Sequence, residues 1–148
     1  MRLVIQRVSQ AKVEIDGEIL GQINRGFMIL VGVEEADTQE DVDYLVRKVA
    51  KMRIFNDEED KMNLSLEQVG GEVLSISQFT LHADTKKGNR PSFIRAARPE
   101  QGNELYQSFN KGLEAEGIHV ETGEFGGDMQ VTLTNDGPVT IIIDSKDK

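Results

Sequence analysis

Apolar and polar positions alternate along the first part of the chain. Apolar residues recur with a period of two over residues 4–15, which is typical of a β-strand with one buried face. Asp16-Gly17 favours a hairpin turn, and Glu18–Ile23 is predicted as the partner strand. Residues 26–33 are continuously apolar, which predicts a strand that is buried on both faces.

The period then changes to that of a helix at two places. An apolar stripe over residues 42–49 follows a Thr-x-x-Asp capping box at residues 38–41, and together they predict a first amphipathic helix. A second stripe over residues 105–113 predicts another, with Pro99 near its start and Gly117 near its end.

The remaining segments are predicted as strands joined by glycine-rich or polar turns. Residues 56–61 are polar and are predicted as a loop, and residues 145–148 as a frayed end. Gly and Asn-Asp-Gly-Pro turns separate the strands of the C-terminal part. The predicted strands in these segments are 72–81, 118–125, 129–134 and 139–144.

These elements predict one α+β domain over residues 1–148, with a mostly antiparallel, barrel-like sheet and two principal helices. No apolar run is long enough to span a bilayer, and the N-terminal residues lack the apolar core of a signal peptide, so no membrane partner is expected. The chain has no cysteine. That excludes disulfides and thiolate chemistry, and it fits a reducing cytoplasm.

The charge is spread unevenly. The formal net charge is −9, which argues against a general binder of DNA or other polyanions. Residues 84–98 depart from this, because five cations against one acid give a local charge of +4. An ordinary solvated loop and a site for a phosphate backbone both fit such a cluster. Its cations are Lys86, Lys87, Arg90, Arg95 and Arg98.

Familiar catalytic patterns are missing. His82 and His119 lie in no metal-binding pattern, so each is predicted to be a surface or edge-strand residue, and no metal or cofactor is expected. Residues 77–81 (Ser-Gln-Phe-Thr-Leu) place several donors and acceptors at the predicted end of a strand. Residues 135–140 (Asn-Asp-Gly-Pro-Val-Thr) contain a Gly-Pro bond, for which the cis form is accessible.

These two segments, in this order, resemble the D-aminoacyl-tRNA deacylase family. The resemblance extends to the apolar strand at 26–32, to Met-Asn-Leu-Ser at 62–65, and to Lys-Gly-Asn-Arg-Pro-Ser-Phe at 87–93. It therefore spans nearly the whole chain.

The resemblance implies a homodimer that hydrolyses the ester between tRNA and a D-amino acid or glycine, with active sites at the subunit interface and no metal. Gly137 and Pro138, joined by a cis bond, are implied to enter the partner's pocket and exclude L-amino acids. The residues implied to form the catalytic pocket are Ser77, Gln78, Phe79 and Thr80. We expect Lys86, Lys87 and Arg90 to bind the tRNA near its aminoacylated 3′ end.

An aminoacyl ester is already activated, so placement and oxyanion stabilisation can suffice for its hydrolysis. Backbone N–H groups near Phe79 and Thr80 are candidate oxyanion donors. The Thr80 hydroxyl can attack, position water or line the pocket; we favour positioning, because no base stands near it in the sequence. Two other functions also fit these residues: a small-molecule esterase or amidohydrolase with Thr80 as nucleophile, and a dimeric RNA-binding module without catalysis.

Overall fold

A computed structural model describes residues 1–148 and contains eight strands, three α-helices and one 3-10 helix. No helix has both the length and the apolar character needed to cross a membrane. In chain order the elements are β1 (Arg2–Ile15), β2 (Glu18–Ile23), β3 (Gly26–Gly32), α1 (Gln39–Lys51), β4 (Phe55–Asn56), β5 (Met62–Leu64), α2 (Leu66–Val69), β6 (Glu72–Ser77), the 3-10 helix (Phe79–His82), α3 (Pro99–Ala115), β7 (Val120–Thr122) and β8 (Gln130–Asp144).

Strand β1 organises the six-stranded main sheet. Its first half pairs with β3, its second half pairs with β2, and β8 runs antiparallel along nearly its whole length. Strands β6 and β7 extend the sheet from β3 in parallel. A strand that pairs with three others curls the sheet towards the barrel that the sequence predicts, and most of its ladders are antiparallel, as expected.

Two hydrophobic cores lie on opposite faces of this sheet. The larger one packs alternate residues of β1 and β3, such as Leu3 and Ile29, against α1 and α3. The smaller one contains their neighbours of opposite parity, such as Met28, together with Val13 from the far half of β1. Each fully buried aliphatic side chain contributes about 1.5–3 kcal/mol. The continuous apolar run in β3 therefore follows from burial on both faces.

Several local predictions are confirmed. Asp16 and Gly17 have positive φ angles of 50° and 81°, as a tight hairpin turn between β1 and β2 requires. Helix α1 begins with the predicted capping box, in which the Asp41 carboxylate accepts a hydrogen bond of 2.8 Å from the Thr38 N–H. Helix α3 begins at Pro99, at the first helical position.

The predicted strand over residues 72–81 is too long. Strand β6 ends at Ser77, and the chain turns at Gln78 into the 3-10 helix. The reason lies in the neighbouring strand: the Gln78 N–H donates to the Val31 carbonyl, and β3 then ends at Gly32, so later residues have no strand to pair with.

The C-terminal strands also differ from the prediction. The segment 118–125 contains only the short strand β7, because β6 offers partners to three residues there. The two predicted strands 129–134 and 139–144 are one strand, β8, since both halves pair with β1. Residues 135–138 are therefore not a turn between strands: Asn135 pairs with Val8, and residues 136–138 belong to a bulge inside β8.

The predicted frayed end is wrong at its first two residues. Ser145 is buried, and its hydroxyl accepts a hydrogen bond of 2.8 Å from the Met1 ammonium group. That ammonium also lies 2.6 Å from the buried carboxylate of Asp37, and the Lys146 ammonium lies 3.0 Å from Asp41. A partly buried ionic cluster thus fixes this end of β8 against the start of α1. The loop predicted at 56–61 is confirmed for residues 57–61, which connect β4 to β5, while Asn56 belongs to β4.

Candidate active site

The Ser-Gln-Phe-Thr segment forms the rim of the site because the 3-10 helix packs closely on the end of β3. A Cβ atom at Gly32 would lie 2.9 Å from Leu81 Cβ, so only glycine permits this approach. The Leu81 N–H donates to the Gln78 carbonyl, whereas the N–H groups of Phe79 and Thr80 donate to no backbone carbonyl. The first N–H groups of a helix lack internal partners. Two adjacent donors are thus left without backbone partners.

Next to these donors lies a cavity of about 710 Å³. Three of the four predicted pocket residues, Ser77, Gln78 and Phe79, line it. Thr80 is exposed and is not part of the lining; its hydroxyl accepts a hydrogen bond from the Gln78 side-chain amide. The other lining residues are Val31, Val33, Ile76, Phe93, Ala96, Ala97, Pro99, Gly102, Tyr106, Phe125, Gly126, Gly127, Asp128, Met129 and Val131.

The cavity wall formed by α3 and residues 125–131 is mostly apolar. The Tyr106 hydroxyl donates a 2.6 Å hydrogen bond to the Ser75 carbonyl, and burial raises the pKa of Tyr106 although its hydrogen bonds oppose the rise. Tyr106 therefore stays protonated at neutral pH. The Phe125 ring centroid lies 6.0 Å from that of Tyr106, and Asp128 is the one lining residue with a charged side chain.

The two histidines have different environments. The prediction of a surface or edge position is wrong for His82, which is fully buried with Nε2 3.0 Å from the Gly32 carbonyl oxygen. It is buried because it closes the 3-10 helix against β3. His119 is exposed, and its Nε2 lies 2.7 Å from Glu121. No group of three or more acidic, histidine or cysteine side chains is arranged to hold a metal ion.

The second candidate segment forms the bulge in β8. Thr140 pairs with Gln6 and Asn135 pairs with Val8, so the four residues 136–139 lie opposite a single residue of β1. The Gly137–Pro138 bond is cis, and Gly137 has a φ of 139°. A Cβ atom at Gly137 would lie 2.8 Å from Val139 Cγ2. The backbone of the bulge therefore requires glycine at this position.

The single residue opposite the bulge is Arg7, whose guanidinium group is buried. Its Nε donates to the Asp136 carbonyl at 2.9 Å, and its Nη1 donates to the Ile54 carbonyl at 2.7 Å and to the Asn56 side chain at 3.0 Å. One planar cation thus ties the bulge to the segment that leads into β4.

Asn135 closes the bulge from the other side. Its side-chain oxygen accepts a hydrogen bond of 2.9 Å from the Val139 N–H, and its side-chain nitrogen donates to the Thr140 hydroxyl at 3.0 Å. These bonds hold the two ends of the bulge together, while Gly137 and Pro138 at its tip are exposed.

The two segments do not meet within one chain. The Arg2 guanidinium contacts the Leu81 carbonyl at 2.7 Å, whereas the bulge lies opposite Arg7. Five residues of strand separate these positions, roughly 16 Å at the usual rise. No residue of 135–140 lines the cavity.

The predicted tRNA-binding residues lie on a separate loop. Residues 84 and 92 close it through two backbone hydrogen bonds of 2.7 and 2.9 Å. Lys86, Lys87 and Arg90 are exposed and lie outside the cavity lining. The continuation of this loop, through Phe93 and Ala96, forms one wall of the cavity.

Sequence reasoning missed several residues of this region, namely Arg7, Tyr106, Phe125 and Asp128. Arg7 carried a signal: it shares the parity of Leu3 and Ile5, whose side chains are fully buried, and a charge on such a face needs a partner. The other three offered none, since the two aromatic residues look like core residues and Asp128 looks like part of a Gly-Gly-Asp turn.

Comparison with known proteins identifies the family of the chain. The family model for D-Tyr-tRNA(Tyr) deacylase matches residues 4–144. The D-aminoacyl-tRNA deacylase of Bacillus pumilus is 60% identical over 99% of this chain and 100% of its own length, and that of Lacticaseibacillus casei is 59% identical over the full length of both.

Solved structures show the same fold. A c-Myc DNA unwinding element binding protein superposes with a TM-score of 0.90, at 39% identity over 97% of this chain and 98% of its own. A probable eukaryotic D-amino acid tRNA deacylase superposes with a TM-score of 0.83, at 19% identity over 96% of this chain and 97% of its own. Because the family model and the close relatives cover nearly the whole chain, the protein belongs to the D-Tyr-tRNA(Tyr) deacylase family of hydrolases.

Proposed function

We propose that this enzyme hydrolyses the ester bond of D-aminoacyl-tRNA, and of glycyl-tRNA mischarged on tRNA(Ala), and that it rejects L-aminoacyl-tRNA with Gly137 and Pro138. The observation that carries the proposal is the cavity bordered by Ser77, Gln78 and Phe79, with two backbone N–H donors beside it that have no backbone partner. We place the reaction in the cytoplasm.

The chemistry assigned to this cavity is stabilisation rather than nucleophilic attack. Water adds to the ester carbonyl carbon, and the N–H groups of Phe79 and Thr80 bind the developing oxyanion. The ribose oxygen then leaves and takes up a proton, which gives the free amino acid and tRNA. The Thr80 hydroxyl accepts a hydrogen bond from the Gln78 side-chain amide and contacts no base, which supports a positioning role for Thr80 and Gln78.

The rigidity of the bulge supports its assignment to chiral selection. Rejection of an L side chain requires a surface that does not yield, and main chain held by Arg7 and Asn135 provides one. Glycine carries no side chain that such a surface would exclude. A D side chain points away from it.

The separation of the two segments supports a homodimer. The exposed tip at Gly137 and Pro138 does not line the cavity of its own chain, so it is assigned to the cavity of a second copy. Lys86, Lys87 and Arg90 are assigned to the phosphates of the tRNA acceptor end, as a cationic rim on a chain of net charge −9.

One assay tests the reaction and its selectivity. The purified protein is incubated in excess EDTA with D- and L-aminoacyl forms of one tRNA and with glycyl-tRNA(Ala). We expect the D-aminoacyl and glycyl esters to be cleaved and the L ester to survive. Equal cleavage of both enantiomers, or activity that disappears with EDTA and returns with zinc, contradicts the proposal.

The same assay separates the alternatives. Cleavage of small esters without a nucleotide, abolished in Thr80→Ala, would indicate an esterase with a threonine nucleophile. Equal binding of charged and uncharged tRNA with no cleavage would indicate an RNA-binding module.

A mixing experiment tests the shared site. Gln78→Ala impairs the cavity. Gly137→Ala distorts the bulge, because its Cβ would meet Val139, and in a shared site it also places a methyl group in the partner's cavity, so each variant alone should lose D-ester cleavage. Co-expressed, the two variants form mixed dimers with one intact composite site, so roughly a quarter of wild-type activity returns. If both segments act within one chain, no activity returns.

A further inference from the structure

Three large apolar side chains stand exposed on the segments that border the cavity: Phe79 and Phe93 line it, and Ile94 follows Phe93. The exposed fractions are 58% for Phe79, 36% for Phe93 and 84% for Ile94. Aromatic side chains are normally among the more buried ones, so an exposed pair next to a cavity points to a ligand.

The two phenylalanines are held in fixed positions. Their ring centroids lie 5.2 Å apart with an interplanar angle of 77°, so the edge of one ring faces the other ring and further ring surface remains open. Phe79 is fixed by the 3-10 helix. Phe93 is fixed by the segment that follows it, where the Ala97 N–H donates to the Val33 carbonyl and the Glu35 N–H donates to the Arg95 carbonyl.

Cations flank Phe93 and Ile94 in the sequence, on the loop before them and on the segment after them. Within residues 84–98, Lys86, Lys87, Arg90, Arg95 and Arg98 face a single acid, and none of the five forms a salt bridge. The remainder of the chain is strongly acidic. Exposed aromatic rings flanked by unpaired cations are the combination that binds single-stranded nucleic acid: the rings stack on bases, and the cations contact phosphates.

We propose that Phe79, Phe93 and Ile94 form a stacking platform for the unpaired nucleotides that precede the terminal nucleoside of the charged tRNA. The inference rests on the proposed function, because the terminal aminoacylated nucleoside must occupy the cavity for its neighbours to reach this surface. Phe79 and Phe93 belong both to the cavity lining and to the exposed surface, so the strand leaving the cavity passes over them. Base stacking tolerates any base, which suits an editing enzyme that acts on several tRNAs.

The test compares two substrates with the same ester. One is full-length D-aminoacyl-tRNA, and the other is D-aminoacyl-adenosine, which has no preceding nucleotides. Phe93→Leu keeps an apolar side chain but removes the ring, and we expect it to raise KM for the tRNA roughly tenfold more than KM for the adenosine ester. Phe93→Trp should restore the tRNA value, because tryptophan offers a larger ring.

The matched control is Ile19→Ala on β2, which removes a side chain that is also about half exposed, at 51%, but lies on another element. This variant should leave KM unchanged for both substrates. If Phe93→Leu raises KM equally for both substrates, or does not raise KM for the tRNA, the proposed platform is wrong.

Two further measurements keep the result unambiguous. Light scattering on Phe93→Leu and Ile94→Ala reports the oligomeric state; a shift from dimer to monomer would mean that a second copy covers this surface, and the proposal would fail. If the wild-type protein cleaves neither ester, the proposed function fails. The platform is then tested separately by binding of the RNA tetranucleotide ACCA, which Phe93→Leu should weaken several-fold and Phe93→Trp should not.

Discussion

The segment at the cavity and the bulge in β8 are built in opposite ways. At the cavity, the Phe79 and Thr80 N–H groups have no backbone partner. In the bulge, the Asp136 carbonyl, the Val139 N–H and the Thr140 hydroxyl are each bonded to a side chain. Unpaired donors suit a site that must bind a charge that develops only during the reaction. Paired ones suit a surface that must not move, so the difference matches the two roles that we propose, hydrolysis at the cavity and selection by the bulge.

The largest expected effect comes from Arg7→Met. The change leaves two backbone carbonyls and the Asn56 side chain without their donor, in a buried position. Loss of charge-assisted bonds of this kind costs about 3 kcal/mol of the free energy of unfolding. We expect a lower Tm, measured by calorimetry, together with loss of discrimination between D- and L-aminoacyl-tRNA.

Arg7→Lys is the matched control, because it keeps the charge without the planar fork, and it should be intermediate in both measurements. An Arg7→Met protein with full selectivity would show that the bulge stays rigid without the Arg7 guanidinium group. The proposed difference between a hydrogen-bonded bulge and an unpaired cavity segment would then not matter for function.

A smaller effect is expected for Asn135→Ala, which opens the bulge on its exposed side. The Val139 N–H loses its acceptor, at a cost of about 1 kcal/mol. Selectivity should fall several-fold while the rate of D-ester cleavage at saturation changes less. Asn135→Asp keeps the acceptor, so it should retain most of the selectivity; if it behaves like alanine, the donor to Thr140 matters more.

Thr80→Val should have a modest effect on kcat, because the proposed oxyanion donors are main-chain N–H groups and the side chain only positions its neighbours. We expect a few-fold loss in single-turnover hydrolysis, with Thr80→Ser close to wild type. An acyl-Thr80 species trapped from a D-aminoacyl substrate would replace positioning with nucleophilic catalysis.

The smallest effect on activity is expected for Asp41→Asn, at the start of α1 and outside the cavity lining. Burial opposes ionisation of Asp41, but hydrogen bonds from Ser145, Thr38 and Lys146 outweigh it and hold its pKa well below the ordinary value. A lowered pKa in the folded state stabilises the protein above the unfolded-state pKa of about 4, and this contribution is lost as the pH falls further.

Asp41→Asn should therefore lower Tm at pH 7, and the difference from wild type should shrink in melts below pH 4. Activity at 25 °C should not change. A constant Tm difference at all pH values would show that the Asp41 charge does not matter.

The sequence predicts the elements of this fold better than their ends. Periodicity identifies β1, α1 and α3 because burial on one face dictates it. It cannot show where β6 ends, since Gln78 and Leu81 continue an acceptable strand pattern and only the end of β3 stops it. It also cannot show that β8 continues through a Gly-Pro step, because that depends on the pairing with β1.

The candidate site likewise contains residues that the sequence predicts and residues that it does not. The resemblance identifies Ser77, Gln78 and Phe79, which line the cavity. The partners that hold the segments, such as Arg7 and His82, come from distant contacts that a local pattern does not encode. His82 illustrates this, since its burial depends on Gly32, fifty positions earlier.

The ladder between β1 and β8 has a consequence for how the protein is made. It joins Arg2 to Asp144, so the sheet is complete only after the last strand has been synthesised and has paired with the first. Contacts between residues so distant in the chain form late and slow folding, because a long loop must close first. During synthesis, β1 can pair with β2 and β3 while its other edge stays open, and an open edge favours association with other chains. The bulge forms only when β8 docks, so we expect nascent chains shorter than about residue 140 to have no selectivity and to aggregate readily.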